Sequence, residues 1–104
     1  MRPMPEKLRR ELAKIPYYKK CCLCGDERFV EWHHNLILAG AQQNIKEAIL
    51  PLCTYHHRQA NNTEVKEKLD YIMLQRMKPK QIESISKAID YNQRFIYLRG
   101  KYVI

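Results

Sequence analysis

The chain is organised around the stretch from Glu31 to Asn61, which reads EWHHNLILAGAQQNIKEAILPLCTYHHRQAN. This stretch holds all four histidines of the sequence. A Cys-x-x-Cys pair, Cys21 and Cys24, lies just before it. Cysteine and histidine are the usual zinc ligands, so their concentration in one window indicates metal-dependent chemistry.

Length and charge bound the class of protein. The 104 residues suffice for one small domain, and a core of that size gains from a structural metal. A net charge of +8 with 19 Lys and Arg favours a polyanion, above all nucleic acid, as the partner. The sequence shows no membrane-spanning apolar run and no signal-peptide core, so we expect a cytoplasmic protein. In that compartment the four cysteines are metal ligands or free thiols rather than disulfides.

A short basic helix is predicted over residues 5–15. Its apolar face repeats at i, i+4 and i+7 (Leu8, Leu12, Ile15), and Pro16 ends it. Basic residues on its outer face, and the basic and aromatic residues at 17–20, suit binding to a phosphate backbone. A solvated helix face beside a core explains the same pattern equally well. The side chains expected to hold nucleic acid are Arg9, Arg10, Lys19, Lys20 and Arg58, with Lys66, Lys78 and Lys80 as further contacts.

The central stretch predicts two short strands. Residues 29–32 are rich in aromatic and β-branched types, and residues 48–52 form a second apolar run. Pro51 restricts that second strand to an edge or to its own end. Residues 35–47 are predicted to be a loop with Gly40 as its flexible point, and a helix follows the second strand.

Residues 62–104 predict a helical hairpin. One helix is expected over residues 64–77, after the capping residues of the Asn61-Asn62-Thr63 break. A second helix begins at Pro79 and ends at Gly100, with an apolar stripe of Ile82, Ile85, Ile89 and Ile96 that Ala88, Tyr91, Phe95 and Leu98 widen. The apolar faces of both predicted helices are interpreted as surfaces that pack into the core.

Cysteine and histidine spacing predicts a structural zinc site. Cys21 and Cys24 form a Cys-x-x-Cys pair, and Cys53 and His56 form a Cys-x-x-His pair. Two such pairs separated by a hairpin-sized insertion build a tetrahedral Cys3His site. A small buried thiol cluster is the alternative, and the register can also slip to the spare Cys22.

Three histidines remain once the zinc site is complete. His57 and Asn61 are four residues apart on a helix and share a face, whereas His33 and His34 end a strand and point to opposite sides. One of that pair can face a metal held by His57 while the other faces a substrate. Phosphodiester hydrolysis needs such a division, because a metal polarises the phosphate and an imidazole takes a proton from water. A polar strand end is the alternative for the histidine pair alone.

Residues 21–61 carry three motifs in order, namely Cys-x-x-Cys, Glu-x-His-His and Leu-Cys-x-x-His-His-x-x-x-Asn. This order resembles that of the HNH endonucleases, also called ββα-metal or His-Me finger nucleases. Small phage or prophage members are the most similar. The resemblance implies an α+β fold in a single domain over residues 1–104. Its parts would be a basic N-terminal helix over 1–20, a ββα-metal core with a structural zinc knuckle over 21–61, and a C-terminal αα-hairpin over 62–104.

The resemblance also implies a role for each matching residue. His34 would be the general base. The family's central asparagine position is occupied here by Ala48, so Asn44 is the candidate replacement. Glu31 is expected to be an exposed strand residue, and the alternative is that it fixes a ligand imidazole. A catalytic Mg2+ or another divalent ion (Mn2+, Ni2+ or Zn2+) would be held by His33, His57 and Asn61.

The predicted function is therefore metal-dependent hydrolysis of DNA in a bacterial or phage-infected cell. It would serve recombination, packaging or DNA degradation, with no membrane partner. A homodimer, or a recombination or packaging protein as partner, is left open. The alternative is a non-catalytic zinc-bound adaptor for nucleic acid, which would leave four side chains without a role: His33, His34, His57 and Asn61.

Overall fold

The computed structural model describes residues 4–38 and 40–102, which form an α+β fold. Within these residues the helices are α1 (Glu6–Ala13), α2 (Thr54–Arg58), α3 (Thr63–Arg76), α4 (Pro79–Ile85) and α5 (Tyr91–Tyr102). The strands are β1 (Val30–His34), β2 (Ile37–Leu38), β3 (Ala41–Gln42) and β4 (Ile49–Cys53). Short 3-10 helices cover Pro16–Lys19 and Lys46–Ala48.

Strands β1 and β4 form an antiparallel pair with Val30 opposite Cys53 and His34 opposite Ile49. Every residue of β4 is buried, as its apolar sequence requires. Pro51 cannot donate a ladder hydrogen bond, and its carbonyl accepts one from the Cys22 N–H at 2.9 Å. The two predicted strands are confirmed, and both begin one residue later than predicted.

The prediction that residues 35–47 form only a loop is wrong. Strands β2 and β3 pair antiparallel there, with Ile37 opposite Gln42 and Leu38 opposite Ala41. Gly40 has a φ of 78° at their turn, a left-handed conformation that glycine adopts without strain. This hairpin turns the chain back towards β1.

The helical hairpin predicted for residues 62–104 is also wrong, because a break separates α4 from α5. The Ser86 hydroxyl donates to the Ile82 carbonyl at 2.6 Å and accepts the Tyr91 N–H at 3.1 Å. Asp90 Oδ1 accepts hydrogen bonds of 3.1 and 3.2 Å from N–H groups in the first turn of α5. These polar side chains satisfy the backbone at the break, which the hydrophobic pattern does not show.

The break changes which side chains of the C-terminal segment are buried. Tyr91 and Leu98 are buried, whereas Ile89 and Ile96 are 52% and 62% exposed, so the predicted isoleucine stripe is only half correct. Gly100 lies inside α5 and does not end it. Ala88 is exposed in the break.

Two apolar clusters hold the elements together. The larger lies between β4 and the C-terminal helices and includes Leu50, Leu52, Leu69 and Met73. The smaller attaches α1 to the sheet through Leu12, Tyr18 and Ile49. Among the helices of the described residues, none combines the length and apolarity that crossing a membrane requires.

Candidate metal centre and active-site cleft

Four predicted ligands converge on one point, with the ligand atoms of Cys21, Cys24, Cys53 and His56 within 4.8 Å of one another. His56 Nδ1 lies 3.5 Å from Cys21 Sγ and 3.3 Å from Cys53 Sγ. The sulfurs of Cys24 and Cys53 are 3.9 Å apart. A tetrahedron with zinc-like bonds of about 2.3 Å to sulfur and about 2.0 Å to nitrogen has edges of roughly 3.5 to 3.8 Å. The four residues are therefore placed to hold a metal ion.

The backbone between the first two ligands explains this convergence. Gly25 has a φ of 78°, and its N–H donates to the Cys21 carbonyl at 2.8 Å, which closes the turn. Burial opposes ionisation of the Cys21 thiol, but backbone amides of Cys53, Leu23 and Cys24 donate to its sulfur and lower its pKa to about 7. Thiolate is the form that binds metal, so the turn prepares a ligand.

Cys22 lies beside the centre without belonging to it. Burial and the neighbouring Cys21 raise the pKa of the Cys22 thiol to about 11. Its sulfur is not among the four converging ligand atoms. The structure therefore adopts the register with Cys21 and not the alternative register with Cys22.

A cleft of about 230 Å³ lies at the end of β1. It brings together three predicted site residues, namely His33, His34 and Asn61. Five further residues line it: Lys66, which was predicted to contact nucleic acid, and four residues without a predicted role, Asn35, Ile37, Ile89 and Tyr91.

The rings of His33 and His57 meet edge to face with their centroids 5.1 Å apart. His57 Nδ1 donates to Glu31 Oε1 at 2.8 Å, so a neutral His57 keeps a lone pair on Nε2. Burial, reinforced by the charges of His57 and Lys66, lowers the pKa of His33 to about 4. The His33 ring can thus offer a neutral nitrogen to a metal. Glu31 is an exposed residue of β1, as expected, and its carboxylate also accepts the His57 hydrogen bond that the alternative requires.

His34 is paired with Asn44, which follows β3. The distance from His34 Nε2 to Asn44 Oδ1 is 2.8 Å. An amide oxygen only accepts hydrogen bonds, so Nε2 carries the hydrogen and a neutral His34 has its lone pair on Nδ1. The structure brings Asn44 to the predicted base, and the chemical role of the pair stays a prediction.

A polar network supports the backbone next to the histidine pair. Lys66 Nζ donates to the Asn35 carbonyl and to Asp70 Oδ1, both at 2.9 Å. Arg94 Nε donates to Asp70 Oδ2 at 2.7 Å, and Asp70 is only 4% exposed. Lys66, expected to contact phosphate, therefore holds the residue that follows His34. The sequence contains one indication of this inward role, because Lys66 and Asp70 are four residues apart on a predicted helix and can therefore pair.

The side chains predicted to bind nucleic acid all reach the surface. Arg10 is paired with Glu6 at 3.2 Å and Lys20 with Glu27 at 3.4 Å, and such exposed pairs separate easily. A nucleic-acid partner stays a prediction. The exposed residues of this set are Arg9, Arg10, Lys19, Lys20 and Arg58.

Comparison of the chain with protein-family models, curated proteins and solved structures finds no match. The fold and the two sites define a small α+β protein in which four clustered residues can hold a metal ion and a separate cleft is lined by histidines.

Proposed function

We propose that this protein is a metal-dependent DNA endonuclease with a ββα-metal core of the HNH type. The observation that carries the proposal is the hydrogen bond between Asn44 and His34, because His34 lines the same cleft as His33 and Asn61. A non-catalytic adaptor needs a structural metal and positive charge. It has no use for an oriented imidazole beside two further potential ligands.

Two metal roles fit the two donor sets. Zn2+ suits the thiolate-rich set of Cys21, Cys24, Cys53 and His56 and would stabilise the fold. A divalent ion, Mg2+ or Mn2+, Ni2+ or Zn2+, would be held by His33, His57 and Asn61. When bound, it would neutralise charge on the phosphate and on the leaving oxygen. The Glu31 carboxylate orients His57 for this role.

His34 supplies the general base in the proposed reaction. Its Nδ1 accepts a proton from a water molecule whose oxygen bonds to phosphorus, while the bond from phosphorus to the 3′ oxygen breaks. The products are a 5′ phosphate and a 3′ hydroxyl, which takes its proton from solvent. Asn44 keeps the hydrogen on Nε2 and the ring in place.

The substrate class follows from charge. The chain carries a net charge of +8, and its exposed basic side chains can neutralise phosphates of a DNA backbone. Because these contacts read phosphate and not base edges, we propose cleavage with little sequence preference.

Nicking of supercoiled plasmid tests the proposal, with Mg2+, Mn2+, Ni2+ or EDTA added to the purified protein. The His34→Ala variant should lose about 10²- to 10⁴-fold in rate, the usual contribution of a general base, and still shift DNA in a gel. Gln75→Ala, an exposed position on α3, is the control and should nick as the wild type does.

Full activity of His34→Ala would exclude this histidine as the base. If no metal supports nicking while the protein holds zinc and shifts DNA, the non-catalytic adaptor becomes the better assignment.

A further inference from the structure

A second pocket, of about 270 Å³, lies where the turn before β1 meets α2. Two aromatic side chains in it are unusually open to solvent, since Phe29 is 83% exposed and Tyr55 is 61% exposed. Aromatic side chains contribute most when they are buried, so two open rings in one pocket indicate a contact surface. We call it the Phe29–Tyr55 pocket, and its lining residues are Asp26, Arg28, Phe29, Cys53, Thr54 and Tyr55.

The backbone of Phe29 is strained. Its φ of 52° is the one positive φ of a non-glycine residue within residues 4–38 and 40–102. Glycine or asparagine would adopt this conformation with less strain, so the phenyl ring is present at a cost to stability. Two contacts hold the turn in shape, because Thr54 Oγ1 donates to the Phe29 carbonyl at 3.4 Å and the Arg28 N–H donates to Asp26 Oδ1 at 2.8 Å. Such strain is typical of functional positions.

The pocket continues towards the candidate catalytic residues. A neighbouring hollow is lined by Glu31, Thr54, His57 and Arg58, so Thr54 belongs to both. Tyr55 and Arg58 are three residues apart on α2 and therefore lie on one side of it. The exposed Arg58 side chain therefore lines the hollow that contains His57 and lies on the same side of α2 as Tyr55. This arrangement suits a base on the aromatic rings and its phosphate near the arginine.

We propose that the Phe29–Tyr55 pocket binds an unpaired nucleobase of the DNA substrate, close to the phosphate that is cut. This inference rests on the proposed function. Stacking on aromatic rings accepts any base, because every base has a π face, but a base inside a duplex is already stacked and paired. The preferred substrate class is therefore DNA with a single-stranded end or flap next to the cleavage point, over continuous duplex.

The test compares a blunt duplex with the same duplex carrying a short overhang. His34→Ala protein is used so that the DNA stays intact. The overhang should bind more tightly than the blunt duplex, and Phe29→Asn should weaken overhang binding about tenfold, the usual effect of losing one stacked base. Because asparagine tolerates a positive φ, this variant should unfold at the same temperature or higher, which separates lost binding from lost folding. Tyr97→Ala, a 55% exposed ring on α5, is the matched control and should change nothing.

A crosslinking readout locates the base directly. With 5-iodouracil in the overhang, irradiation should join the DNA to Phe29 or Tyr55, as mapped by mass spectrometry. Crosslinks at other residues only, or equal overhang binding by Phe29→Asn and its parent, would overturn the base pocket.

The two proposals fail in different ways. Crosslinking in the pocket without nicking by any metal-loaded wild-type protein would support the base pocket and refute the nuclease. If the wild type nicks plasmid but binds overhang and blunt duplex equally, and Phe29→Asn changes nothing, the nuclease is supported and the base pocket is refuted.

Discussion

His34 and Asn44 are ten positions apart in the sequence, and their side chains are 2.8 Å apart in the structure. Strand β1 carries the histidine to the cleft, and the hairpin of β2 and β3 returns the chain so that the asparagine meets it. Because the amide oxygen can only accept, the contact selects one tautomer of the imidazole. A single side chain thereby decides which nitrogen is free to take a proton.

Asn44→Ala should slow nicking about 10- to 100-fold, as loss of an orienting partner commonly does. The physical reason is that the imidazole loses both its fixed tautomer and its fixed ring orientation. Initial nicking rates on supercoiled plasmid measure the effect. Gln43→Ala is the matched control, since the Gln43 side-chain amide donates to the backbone carbonyl of Ala41 at 3.0 Å and not to a histidine among the described residues. Equal rates for the two variants would show that Asn44 does not orient the base.

At the scale of elements, α3 joins the histidine strand to α5 through one buried carboxylate. Asp70 accepts hydrogen bonds from Lys66 on its own helix, from the Asn35 side chain after β1, and from Arg94 on α5. The side chain of Asp70 is 5% exposed, whereas Lys66 is 40% and Arg94 is 27% exposed. The network therefore connects three elements through a carboxylate that water hardly reaches.

Asp70→Asn should lower the free energy of unfolding by about 2–3 kcal/mol, because two cationic donors lose their charged acceptor. Urea unfolding followed by circular dichroism measures it. Glu64→Gln is the control, since Glu64 also pairs with a lysine on α3 but in solvent, and about 0.5 kcal/mol or less is expected. Similar losses in both variants would mean that burial adds nothing to the Asp70 network.

The start of α5 offers a second test at this scale. Asp90 Oδ1 accepts two N–H groups of the first turn, which is the arrangement of a helix N-cap. Asp90→Ala should cost about 1 kcal/mol of unfolding free energy, whereas Asp90→Asn, which keeps an accepting oxygen, should cost little. Thermal and urea unfolding measure both variants. An equal loss in the two would point to the charge of Asp90 and not to its capping bond.

For the whole molecule, the four-ligand centre joins the turn before β1 to the end of β4 and the start of α2. A chain of 104 residues has a small core, so a metal bound at this centre would contribute a large share of its stability. Loss of the centre should therefore loosen the strand pair that also carries the histidines.

Cys24→Ala should lower the bound zinc well below one ion per chain and reduce the unfolding temperature markedly. Cys22→Ala should keep both, because the Cys22 sulfur lies outside the ligand cluster. Elemental analysis of the purified proteins and thermal unfolding, with and without added Zn2+, measure the two effects. Full zinc content in Cys24→Ala would contradict the ligand set.

Much of the fold could be predicted from local sequence. The helix before the central stretch, the two strands, and α3 with its Asn62 cap follow from periodicity and from the chemistry of helix ends, and the structure has all of them. The break between α4 and α5 was not predicted. Its capping residues, Ser86 and Asp90, were in the sequence, but a regular isoleucine pattern suggested one continuous helix.

The sequence alone specifies the two metal-ligand pairs, because residues three apart in a turn or first helical turn reach one ion whatever surrounds them. Only the tertiary structure decides that the two pairs meet, that Asn44 reaches His34 and that Glu31 holds His57. It also decides that Lys66 points inward to the Asn35 carbonyl. The physical reason is separation along the chain: these contacts join residues 10 to 35 positions apart. Their geometry therefore depends on strand register and core packing, which no local pattern records.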